Sequence, residues 1–119
     1  MGEALVSIEE FFCGNSDPGS VGCNLAAHPG LVTFASVLAA IRERDEVQTV
    51  LISVTDLNTE DAWPFCDRVY IITSAPPAVV KYWVQSLLPD EVDELAPGRI
   101  PLALPELQLG QKPYLVWWD

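Results

Sequence analysis

The sequence predicts an α+β fold, a single two-layer domain in which helices cover one face of a small mixed or antiparallel sheet. Three observations carry this. Apolar residues recur at helical spacing over about 30–44 and 75–88. Two β-branched runs occupy about 47–55 and 68–73. A Tyr-Leu-Val-Trp-Trp run closes the chain within about 113–118. With 119 residues, half of them hydrophobic, residues 1–119 suffice for one globular core.

Each element has a local cause. Ser7-Ile8-Glu9-Glu10 fits a capping box, opening a short helix over about 7–13 that Gly14-Asn15 stops. Pro29 suits a first helical position, and Leu31, Phe34, Val37, Leu38 and Ile41 then form one apolar stripe. In the strand at 47–55, Val50, Ile52 and Val54 face one way, Leu51 and Ser53 the other. The strand at 68–73 follows after a long polar and aromatic loop, so an antiparallel hairpin is the simplest pairing.

Ser74 is placed to cap the third helix, with Pro76 and Pro77 in its first turn. Val79, Val80, Trp83, Val84 and Leu87 supply its buried stripe, and Pro89 ends it. Residues 90–94 suit one further helical turn. Prolines 97, 101, 105 and 113 impose an ordered, extended connection, with a short edge strand expected at 106–109. In the closing strand Trp117 and Trp118 must point to opposite faces, one of them into the core.

The charge balance constrains partners. Seventeen acids face six Lys and Arg, a net charge of −11. Nucleic acid and anionic lipid both need cationic side chains to replace their counterions, so neither is an expected partner. A basic protein is. Three cysteines without framework spacing suit a reducing compartment, and no leader-like segment opens the chain, so the expected location is the cytoplasm.

Four readings of possible chemistry follow. The stretch Gly14–Asn24, "GNSDPGSVGCN", lacks the strand–loop–helix setting of a phosphate cradle, and no Lys or Arg precedes Arg42, so it reads as a structured connection. Cys13, Cys23, Cys66 and His28 could in number hold a tetrahedral zinc, but no close cysteine pair is present. Buried, inert thiols are the expectation, Cys13 beside Phe11 and Phe12 above all. Cys23 with His28 as base is an alternative nucleophilic centre, although acidic surroundings raise a thiol's pKa. No cofactor is implied.

The loop from Asp56 to Asp67 is the fourth. Asp56, Asn58, Glu60 and Asp67 match places in a calcium-loop count. Asp61 stands where glycine is needed and Pro64 breaks the pattern, so at most a weak divalent site remains. Protein recognition suits the loop better. Asp56, Glu60, Asp61 and Asp67 surround Trp63 and Phe65, rigid anchors inside a negative rim. The competing reading has both rings in the core and the acids merely solvated. The expected function is therefore a small acidic protein-binding module, of immunity or inhibitor type, with those six residues as its contact.

Overall fold

A computed structural model describes residues 4–15, 20–21, 25, 28–55 and 65–118. Its element order is β1 (Ala4–Val6), α1 (Ile8–Phe12), α2 (Leu31–Arg42), β2 (Val47–Thr55), β3 (Phe65–Thr73), α3 (Pro77–Val84), β4 (Glu91–Glu94) and β5 (Lys112–Trp117). The strands form one sheet in the order β1-β2-β3-β5-β4, with every neighbouring pair antiparallel. This is the α+β sandwich that the sequence predicts, and the closing strand enters beside β3.

Helices α1, α2 and α3 cover one face. Val50, Ile52 and Val54 of β2 meet Val69 and Ile71 of β3, Tyr114 and Val116 of β5, and Trp118 just beyond it. Phe34, Leu38 and Ile41 from α2, and Val80, Trp83 and Val84 from α3, close over them. Truncating such a buried Leu or Ile to Ala costs about 2–5 kcal/mol. Buried polar groups tie the layers together. The Tyr114 hydroxyl donates to the Ala75 carbonyl at 2.7 Å, and burial pushes its pKa upward. The capping box forms as predicted: Ser7 Oγ accepts from the Glu10 N–H, and Glu10 Oε1 accepts from the Ser7 N–H.

The second face is not bare. Tyr70, Ile72 and Leu104 are buried there, with Leu51, Ile100, Leu107 and Leu115 partly buried around them. The proline-rich segment between β4 and β5 therefore crosses the sheet as a strap. A strand does not form at 106–109. Gln48 of β2 instead engages the backbone of Glu106 and Gln108 with its side-chain amide.

Other expectations are corrected. Helix α2 begins at Leu31 rather than Pro29, because Gly30, at φ 98°, is its N-cap. Only glycine occupies that conformation at little cost. Ser74 does not cap α3. Pro76 holds the N-cap position, and the Ser74 N–H donates to the Glu46 carbonyl. Residues 91–94 form a strand instead of a helical turn, since Leu88, at φ 56°, reverses the chain and delivers it alongside β5. Cys13 is exposed, because α1 is a single short turn whose buried side chains are Ile8 and Phe11.

Candidate functional site

The acidic-aromatic loop springs from the middle of the sheet. Thr55 and Phe65 are paired across β2 and β3, so its two ends sit about 5 Å apart on neighbouring interior strands. Asp56, Asn58, Glu60, Asp61, Trp63 and Pro64 lie outside the described residues. Of Phe65 and Asp67 the structure gives the place in β3. Just inside the loop, Cys66 is fully buried and bridges Val21, which lies beside β3 beyond the end of β5.

His28 is built into this same end, and Cys23 lies outside the described residues. The His28 Nδ1 accepts the Gly30 N–H at 2.8 Å, which leaves Nε2 as the protonated nitrogen, donating to the Val21 carbonyl at 2.8 Å. The ring leans on Phe34, with centroids 5.3 Å apart. Both nitrogens are thus spent on backbone, one holding the start of α2 and the other the Val21 bridge. Among the described residues no group of three His, Cys, Asp or Glu could hold a metal ion. No helix among them is long and apolar enough to cross a membrane.

A second acidic surface lies at the same end of the sheet. Leu5, Ser53, Arg68, Trp117 and Glu91 form one cross-strand row, close to the Thr55–Phe65 pair where the loop leaves. Glu91 is two strands, about 10 Å, from β3. Glu91, Asp93 and Glu94 are exposed, and β4 is an edge of the sheet. Between this edge and α3 runs a cleft of about 500 Å³ whose walls include Lys81, Gln85, Leu88 and Val92. Sequence reading missed this edge strand. Its only signal is the brief alternation of one valine among acids at 91–94, too short to outweigh a helical reading. A smaller groove of about 300 Å³ separates α2 from α3, where the Arg44 guanidinium stacks 4.7 Å from the Trp83 ring centre. That pair covers the core edge of Trp83 with a cation.

Residues 2–116 match the profile of a family described as "Uncharacterized protein YfbO family". The chain is 34% identical over 116 residues to the "Uncharacterized protein YfbO" of Escherichia coli (strain K12), a match covering 97% of this chain and 82% of that protein. No solved structure matches.

Proposed function

The chain belongs to the YfbO family, and we propose that it works as a small cytoplasmic protein-binding module for a basic partner. The contact is the loop between β2 and β3, through Asp56, Glu60, Asp61, Trp63, Phe65 and Asp67. One observation carries the reading: this acid-rich, two-ringed loop leaves and re-enters two neighbouring interior strands, β2 and β3, at the end of the sheet where Glu91 also lies. A net charge of −11 adds long-range steering of a cationic partner. The same physics suits an inhibitor, which presents carboxylates where a basic protein expects phosphates.

The alternative centre, Cys23 with His28 as base, is less well supported, because His28 would have to release one of its two backbone hydrogen bonds before accepting a proton. A weak divalent site in the loop makes no use of the rings.

The test has two steps. The full chain recovers its partner from the source cell at low salt, and the association rate of the purified pair is then measured. Changing Glu60→Lys and Asp61→Lys together lowers that rate about tenfold or more if the loop steers encounter. An unchanged rate rejects the loop as the contact.

A further inference from the structure

We propose that the outer edge of β4 is a second docking surface, one that accepts an extended, basic polypeptide segment as an additional strand. This goes beyond the loop reading. It shares with that reading the sign of the partner's charge and none of the six loop residues.

The backbone supplies the first argument. Leu95 donates its N–H to the Pro113 carbonyl, and the register continues as Asp93 opposite Leu115 and Glu91 opposite Trp117. Antiparallel pairing alternates, so residues 91, 93 and 95 spend their backbone groups on β5. Val92 and Glu94 therefore turn their N–H and C=O outward, and among the described residues no strand lies beyond them. An open row of this kind is a template for a further strand.

Side chains select the occupant. Glu91 and Asp93 share the sheet face of Trp117 and Leu115, are exposed, and make no ion pair with a described residue. Val92 is on the opposite face, partly buried against the helix-side core, and Leu88, about half exposed, lines the same cleft. Glu94 shares that face and pairs with Lys112 at 3.8 Å. The cleft also contains Lys81, on the helix side. On the other face Arg99 lines a groove with Asp93 and Leu115, and Arg68 shares the row of Trp117 and Glu91 two strands in, so the carboxylates at the outer edge are partly offset from within the sheet. A strand added here meets carboxylates on one face and apolar surface on the other. The fitting segment alternates Lys or Arg with apolar residues.

A second copy of this chain fits poorly. Two β4 edges laid antiparallel would bring the carboxylates of Glu91, Asp93 and Glu94 against their own kind, and like charges across a strand pair are destabilising.

The probe is a short peptide of alternating Lys and Val, titrated at low salt into the isotope-labelled full chain and followed by amide shifts and hydrogen exchange. The expected result is saturable binding that perturbs residues 91–94, slows exchange of the Val92 and Glu94 amides, and weakens as salt rises. N-methylating alternate amides of the peptide, which removes donors and leaves charge intact, should weaken binding about tenfold or more. Glu91→Lys with Asp93→Lys should do the same, and Glu94→Pro, which deletes an outward N–H, should abolish the protection. The methylated peptide needs no variant, so the test survives a Glu94→Pro chain that fails to fold.

Equal binding of the methylated peptide overturns the proposal, as does no binding at about 1 mM peptide. Protection outside 91–94 also overturns it, as does a chain that dimerises through the same amides. The double change Glu60→Lys with Asp61→Lys should leave peptide affinity within about twofold. Failure of the edge and failure of the loop are thereby read separately.

Discussion

Gln48 holds Gln108 as a neighbouring strand would. Its Oε1 accepts the Gln108 backbone N–H at 2.9 Å while its Nε2 donates to the Glu106 carbonyl at 2.9 Å. The pairing of β2 with β3 shifts register between Val47 and Thr49, placing Gln48 at the irregularity. One side chain thereby fastens the strap across the second face, over Tyr70 and Ile72.

Replacing Gln48→Ala removes both bonds. Each exposed bond contributes about 0.5–1.5 kcal/mol, so a loss of about 1–3 kcal/mol is expected in urea unfolding. The Gln108 amide should exchange faster in the folded state. Gln48→Glu should be no better, because a carboxylate cannot donate to the Glu106 carbonyl. Wild-type exchange at Gln108 in either variant would show that the strap is held by its leucines alone.

A pH effect follows from Glu9. The Arg42 guanidinium holds its carboxylate with two bonds of 2.7 and 2.6 Å and lowers its pKa from 4.5 to about 2. A depressed carboxylate pKa contributes stability that is fully present above the unfolded value near 4.5 and fades as pH falls toward 2. The pair is exposed, so the contribution is small and screened by salt. Carboxyl NMR titration should find Glu9 far below the other glutamates, returning to its ordinary range in Arg42→Met. An ordinary Glu9 in the wild type would mean that the α1–α2 tie is not formed in solution.

Trp118 anchors the end of β5. Its indole N–H donates to the Leu87 carbonyl at 2.8 Å inside the core, and its ring meets Phe34 at 5.4 Å. Trp118→Phe retains an aromatic ring but orphans that carbonyl, at a cost of about 1–3 kcal/mol. Trp118→Ala also opens a cavity and should cost about 3–5 kcal/mol. A neutral Trp118→Phe change would place the indole nitrogen in water.

Thiol accessibility separates two cysteines. In the native chain Cys13 should alkylate readily and Cys66, fully buried, only at the rate of unfolding. Mass mapping after brief alkylation checks this. Early labelling of Cys66 would show that the Val21 bridge opens in the folded state.

These elements also show what the residues disclosed unaided. Strand 47–55 is legible because its β-branched run is long and alternating, and the stripe of α2 because Phe34, Leu38 and Ile41 repeat at helical spacing. The opposed faces of Trp117 and Trp118 follow from strand geometry, with Trp118 the buried partner. Strands β1 and β4 were hidden for one reason: three or four residues carry too little pattern, and pairing partners far along the chain decide their state. The strap was hidden for another. A glutamine side chain replacing a strand leaves no periodicity to read. Of the candidate residues, His28 looked reactive because composition reveals a lone imidazole but not the two backbone groups that occupy it.

On the function proposed above, surface carboxylates make this protein a ligand for a cationic polypeptide. The most direct measurement is the association rate with the recovered partner as ionic strength rises from about 20 to 300 mM. Steered encounter predicts a fall of about tenfold or more across that range, with dissociation changing far less. A flat association rate, or a partner as acidic as this chain, would show that carboxylates do not steer the encounter.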